Sequence, residues 1–402
     1  MRIFFITKEL PFPPDNGHRV RTLHILKGLA RTHKVTLVCQ SETPSSQLSA
    51  VSSQLLASGL EQVCESIEIV PVPLKQEGLG RLAAGFLSLF SPLPYSIRSR
   101  YCPLMKQKMK ELLNKENFDA ILCDGIHQAI NIPETNIRMI LNEHNIESTI
   151  IGRYAGIERQ ILRKIFALIE CSKMKSYERR TWQRFNQVLV CSNEDKQGVV
   201  AKTLNVKVDV VPNGVDTKYF CLNNAQPEPN RLIYTGLMSW FPNRDAVLYF
   251  VKEIYPLIKK EIPNVSFWIV GKGPTDEIKA LPESDTSIHV TGFVDDVQPL
   301  VWQSICFVVP LRVGSGTRLK ILEAMAMGKT VVSTRIGAEG IEAVPEKHIL
   351  LADAPQIFAD QVIRLLKDEN LRRSIEKESR RFIEEKYSWD KICEDLRIIL
   401  LA

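Results

Sequence analysis

Short apolar runs rich in Val, Ile and Phe alternate with longer stretches of helical spacing from one end of this chain to the other. That alternation is the pattern of parallel sheets joined by helical crossovers, because parallel neighbours need a long connection between them. In the first half, strands are expected at 2–6, 34–39, 66–72, 119–123, 137–142, 187–191 and 206–211. In the second half they are expected at 231–235, 265–270, 287–290, 306–310, 329–333 and 348–351. A chain of 402 residues is too long for one core, at roughly 100–200 residues per domain, and two lobes with a cleft are the starting expectation.

The boundary falls where a strand runs out in Pro-Asn-Gly and polar, proline-containing sequence follows, VVPNGVDTKYFCLNNAQPEPNR. The expected division is a first Rossmann-like domain at 1–210, a linker at 211–228, a second at 229–386, and a terminal helix at 387–402 packing back toward the first. Composition is that of a soluble globular chain, 45% hydrophobic and 24% charged. The net charge of +6 suits an anionic small molecule or an anionic membrane surface, or nothing specific; it is too weak and dispersed to argue for nucleic acid. Nine cysteines lie singly, with no CxxC pair and no Cys/His cluster at zinc spacing, so reduced thiols in a cytoplasm are expected and no metal site. The opening MRIFFITKELPFPPDNG makes a poor signal peptide, and no apolar run reaches about twenty residues.

One region breaks the rhythm. Residues 79–113 mix Leu and Phe with Arg and Lys and almost no acid. Segments of that kind lie on anionic membranes or grip a lipid-linked substrate, and a core helix with a solvated basic edge has the same composition. The first reading makes the chain peripheral on the inner face of the plasma membrane.

The residues with chemistry to offer sit in loops after strands. RVGSGTRLK follows the strand CFVVPL with Gly314, Ser315, Gly316 and Thr317 at an expected helix N-terminus, residue types that let backbone amides surround phosphate oxygens. Arg318 and Lys320 add positive charge, and Glu323 follows on the helix, where a carboxylate can accept from a vicinal diol such as ribose. Gly236 in TGLMSW, Gly271 in IVGKGP and Gly292 in VTGFVDDV mark three further loops at strand carboxyl ends. In the first half, Gly17 opens a helix after the first strand, though not in a GxGxxG fingerprint. His144 in LNEHNIES stands at a strand end, with His127 a weaker competitor on the same logic.

PFPPDNGHRVRTLHIL, FNQVLVCSNED, VVPNGVD, YTGLMSWFPNRDAV, WIVGKGP, VTGFVDDV and above all GSGTRLKILEAMAMGKTVVST resemble the large retaining glycosyltransferase family 4, over essentially the whole chain. GTRLKILEAMAMGK is similar to the subgroup of bacterial sugar transferases of exopolysaccharide or protein-glycan assembly. The resemblance implies an α/β GT-B fold, two doubly wound Rossmann-like domains facing each other across a cleft, with lobe closure about residues 212–216. It implies a nucleotide-diphosphate sugar on the second domain, a glycan or lipid-linked acceptor on the first, and neither metal nor other cofactor. By that pattern Glu323 holds the ribose, Arg318, Lys320 and the loop amides meet the diphosphate, Gly17 approaches the phosphate, and His144 lies near the transferred sugar. The departing phosphate itself takes the acceptor's proton.

Two departures stand out. The family sets a Glu eight positions before the ribose Glu, and position 315 here is Ser. Its Arg and Lys after the second domain's first strand are replaced, with Leu237 near the first place and Asn243, a further donor-site candidate, near the second. Both changes leave Arg318 and Lys320 as the compensating phosphate cations. The implied alternatives are an epimerase or inverting transferase of the same fold, and a non-catalytic partner subunit that binds a nucleotide sugar.

Overall fold

The computed structural model describes residues 1–41, 59–72, 85, 87–203, 205–314 and 316–401. Its contacts divide it into two units, Met1–Val211 together with the residues from Cys393 onward, and Pro212–Ile392.

The first unit holds a seven-stranded sheet of β1 (Arg2–Thr7), β2 (Lys34–Ser41), β3 (Ser66–Pro71), β4 (Ala120–Asp124), β5 (Arg138–Asn142), β6 (Gln187–Val190) and β7 (Lys207–Val210), in the order β3-β2-β1-β4-β5-β6-β7. Every pairing is parallel. In β1, Ile3, Phe4, Phe5 and Ile6 are all buried, the continuous apolar run of a strand covered on both faces. Among the helices of this unit are α1 (Gly17–Ala30), α2 (Pro103–Lys115), α3 (Glu147–Ile157) and α4 (Ile161–Trp182).

The second unit has a six-stranded sheet of β8 (Arg231–Thr235), β9 (Ser266–Val270), β10 (Ile288–Gly292), β11 (Cys306–Val309), β12 (Thr330–Ser333) and β13 (Leu350–Leu351), in the order β10-β9-β8-β11-β12-β13. These pairings are parallel too. Helices α5 (Phe241–Tyr249) and α6 (Leu319–Ala326) flank its functional end. Between β7 and β8 the described strand pairing is a single bridge of Val215 with Ser388. The final helix, α7 (Trp389–Leu401), has Cys393 against Gly28 and the Leu400 carbonyl accepting from Arg138, both contacts within the first unit.

All thirteen expected strands are present, with ends displaced by at most two residues. Of the basic segment 79–113, residues 79–84 and 86 lie outside the described residues. The rest includes α2, whose Met105, Met109 and Leu112 are buried, so that part is a packed helix with a basic outer edge.

Strand order reverses once in each sheet, between β1 and β4 and between β8 and β11. Loops leaving adjacent strands at such a point turn to opposite faces and open a crevice at the strand carboxyl ends, where doubly wound sheets bind ligands.

Candidate functional site

In the first unit the reversal is occupied by a buried carboxylate. Asp124, the last residue of β4, accepts from Thr22 Oγ1 at 2.6 Å, Thr7 Oγ1 at 3.1 Å and Asn142 Nδ2 at 2.7 Å. His144 Nε2 lies 2.7 Å from its Oδ1, and His18 Nε2 lies 3.7 Å from its Oδ2. Burial alone would raise its pKa, but His144, His18 and the Thr22 hydroxyl override it and hold the carboxyl well below the usual range. Facing an ionised carboxylate, His144 Nε2 donates, so its Nδ1 accepts from His18 Nδ1 at 3.3 Å. Burial keeps both imidazoles neutral below their ordinary pKa, although Asp124 pulls the other way. Arg21, also buried, donates to Asn142 Oδ1 and to the Val211 carbonyl, each at 2.8 Å, and locks the Asn that holds Asp124.

His18, Asp124 and His144 are the group of three among the described residues whose ligand atoms gather closely enough for a metal ion, within 4.8 Å of one another. The Asp124 oxygens already receive Thr7, Thr22, Asn142 and His144, and His144 Nδ1 receives the His18 Nδ1–H, so a metal ion would have to displace the His18–His144 hydrogen bond to reach either Nδ1.

In the second unit the reversal is occupied by cations. Lys320, on the first turn of α6, reaches back to the carboxyl end of β8. Its ammonium lies 2.9 Å from Asn243 Oδ1 and 4.0 Å from the Tyr234 ring centroid. Asn243 is fixed in turn by the Tyr234 hydroxyl at 2.6 Å and the Leu237 carbonyl at 2.9 Å. A Cβ on Gly236 would stand 2.8 Å from Lys320 Nζ, so the glycine leaves the room that the ammonium uses. A cation therefore stands beside Gly236, Leu237 and Asn243, where the family resemblance sets Arg and Lys, but it arrives from α6. Burial and the Arg318 guanidinium push Lys320 down to about 7. Burial pushes Glu323, one turn further along, up to about 7 against the pull of Lys320. The half-buried Glu323 carboxylate makes no hydrogen bond or ion pair to any described residue.

Arg318 sits differently from the expected phosphate contact. Its guanidinium is buried beneath the loop, donating from Nη1 to the Gly316 carbonyl at 2.5 Å and from Nη2 to the Ile336 carbonyl at 3.4 Å. It packs so close to Gly314 that any Cβ there would collide with it. The guanidinium shapes the loop, and its charge acts from below. Thr317 serves the same loop, its carbonyl accepting from Asn213 at 2.9 Å and its hydroxyl donating to Gly340 O at 3.3 Å. Ser315 lies outside the described residues. Gly271 donates to the Gly292 carbonyl at 2.9 Å, with a φ of 143° and no room for a Cβ against Gly236 O, so these three glycines interlock the ends of β8, β9 and β10. Gly17 is the exposed first residue of α1, behind an Asn16 side chain that caps Arg19 N. His127 is half-buried after β4, its pKa lowered to about 3 by burial.

Sequence reasoning missed Asp124, His18, Thr22, Arg21 and Tyr234. Asp124 carried a readable signal, an acid closing the apolar run AILCD. It also missed Arg312, which follows β11 and is clasped by Asp245 at 3.0 and 2.5 Å over the Tyr249 ring.

Two parallel-sheet Rossmann-like units with glycine loops at their reversal points are the architecture of GT-B glycosyltransferases. Residues 15–219 match the model described as Glycosyltransferase Family 4, and residues 229–368 match Glycosyl transferases group 1. The chain belongs to glycosyltransferase family 4. It is 23% identical to a 44.6 kDa protein of the cps region of Klebsiella pneumoniae, covering 98% of each chain. It is 22% identical to a glycosyltransferase of Methanocaldococcus jannaschii, covering 86% of this chain and 92% of that one. Sucrose-phosphate synthase from Thermosynechococcus elongatus superposes with a TM-score of 0.76 at 17% identity, covering 100% of this chain and 98% of that one. Anabaena HepE in complex with UDP and glucose superposes with a TM-score of 0.68 at 14% identity over the full length of both.

Proposed function

We propose that this glycosyltransferase moves a sugar from a nucleotide-diphosphate sugar to a glycan or lipid-linked acceptor, with retention at the anomeric carbon, in assembly of a surface polysaccharide. The observation that carries the reading is α6. One helix of eight residues has Gly316, Thr317 and Arg318 leading into its N-terminus, the Lys320 ammonium on its first turn and the open Glu323 carboxylate one turn on. A diphosphate needs fixed positive charge and amide donors, and a ribose diol needs an acceptor pair; both needs are met within about 8 Å along one helix, at 1.5 Å per residue. The cps-region relative and the UDP- and glucose-bound neighbour support the substrate class.

In the reaction, the bond from the anomeric carbon to the diphosphate oxygen breaks and the acceptor oxygen bonds on the same face. The acceptor's proton passes to the departing phosphate oxygen. Charge grows on that leaving group, and Lys320, with the loop amides that Arg318 holds in place, stabilises it without a metal ion. His144, its Nε2–H fixed on Asp124, gives its Nδ1 lone pair to a sugar hydroxyl once the His18 Nδ1–H that it accepts here turns away.

The test is incubation with a panel of UDP-, GDP- and ADP-sugars and candidate acceptors, reading nucleoside diphosphate release and the product anomer by NMR. Product of the donor's own anomeric configuration is the expected result; the opposite anomer refutes retention. Ser at position 315, where the family sets a Glu, favours a second reading as a partner subunit that binds donor without turnover. Donor binding with no nucleotide release across the panel selects that reading.

A further inference from the structure

Helix α4 has two apolar faces. Ala167, Cys171, Met174 and Tyr177 are buried in the first unit. Ile161, Leu162, Ile165, Leu168 and Ile169 stand in solvent, Leu162 with 83% and Ile161 with 74% of its surface exposed. Their spacing puts the five on one stripe along the first turns of the helix, away from the buried set. Single exposed aliphatics are ordinary, but a continuous stripe of five marks an interaction surface.

The charges beside the stripe are of one sign. The exposed charged residues of α4 are Arg163, Lys164, Lys175, Arg179 and Arg180; by helical spacing Lys164, Lys175, Arg179 and Arg180 flank or continue the stripe, and Arg163 lies on the far side beside Glu158. Its two carboxylates face inward: Glu170 is buried and accepts from Tyr95 N and Lys173, and Glu178 is buried and accepts from Ser148 N and Oγ. The outer face of α4 thus pairs aliphatic side chains with cations and carries no acid of the helix itself; the nearest in sequence, Glu158, precedes the first turn on the Arg163 side. A second copy of this chain would set like charges against each other across a two-fold contact, which is costly. An anionic bilayer meets both demands at once, with aliphatic groups below the phosphate plane and Lys and Arg stems reaching into it.

We propose that the outward face of α4 is a docking surface for an anionic lipid bilayer. The helix lies in the interface and does not cross it, since no described helix is long and apolar enough to span. The surface differs from the 79–113 segment singled out in the sequence, whose described helix α2 turns its methionines into the core. It does not rest on the donor reading, and an enzyme that turned over no nucleotide sugar could still bind vesicles.

The experiment is co-sedimentation of the full chain with vesicles of phosphatidylcholine alone and of phosphatidylcholine mixed with phosphatidylglycerol. Binding to the mixed vesicles only is expected. Leu162→Gln with Ile165→Gln should weaken it at least about tenfold, from lost apolar burial. Lys164→Gln and Lys175→Gln should each weaken it roughly fivefold, at about 1 kcal/mol per surface cation. All four side chains are exposed, so circular dichroism melts should stay at the wild-type midpoint and exclude misfolding. Equal partition into both vesicle types, no binding to either, or variants that bind as wild type overturn the proposal. So does a wild-type dimer by light scattering that the Leu162/Ile165 pair converts to monomer without any vesicle binding.

Discussion

Lys320 and Glu323 are charged groups placed where water is scarce, and their pKa values meet near 7 from opposite sides. Lys320 is a cation below that value and loses its charge above it; Glu323 is a carboxylate above it and is protonated below. Diphosphate binding needs the first state and ribose binding the second, so kcat/KM for the donor should peak narrowly near pH 7. Lys320→Arg, whose charge persists at every pH, should remove the basic limb, and Glu323→Gln should remove the acid limb while lowering the maximum. A profile unchanged in both variants would detach these residues from the donor. In the first unit, Asp124→Asn should cost about 3 kcal/mol by urea unfolding, since Thr7, Thr22, Asn142 and His144 all bond a charged acceptor. Its depressed pKa makes that contribution fully present above the ordinary carboxylate range and lost as pH falls through and below it. His18 and His144, held neutral, weaken the fold further as pH drops below about 6.5, because the unfolded chain binds their protons.

At the scale of elements, the strand ends were legible and the side-chain meetings were not. A parallel strand buried on both faces reads as an unbroken apolar run, so RIFFIT, AILCD, RLIYT and CFVV announce themselves. The pairing of His18 with His144 spans 126 positions, and that of Lys320 with Asn243 spans 77; no local pattern encodes either. The glycines at strand ends were visible as loops, but not that Gly271 and Gly236 abut. Gly271→Ala should destabilise the second unit by about 2 kcal/mol or more, since a Cβ meets both a positive φ and a backbone oxygen, and calorimetry should show its melting fall by several degrees. Gly236→Ala displaces only side-chain ends, so it should cost less stability while weakening donor binding through Lys320. Helix α4 shows the converse limit: ILRKIFALIE has the composition of a core helix, and only the fold reveals that all five of its Ile and Leu side chains face out.

The whole molecule is two doubly wound units, each with a core of its own. A ligand held by the second unit should therefore raise that unit's calorimetric transition in proportion to the logarithm of its concentration and leave the other transition where it was. The fold was almost entirely readable at this scale, because strand and helix order alone specify a doubly wound sheet. The site was readable as loops and charges, while the exchange that puts a cation from α6 where the family carries one after β8 needed the side chains in place. Titration calorimetry of wild type and Lys320→Ala with UDP, GDP and ADP tests that exchange most directly. One of the three diphosphates should bind wild type and bind the variant at least about tenfold more weakly, a loss of roughly 1.4 kcal/mol. Equal affinity of wild type and variant for that diphosphate would contradict it.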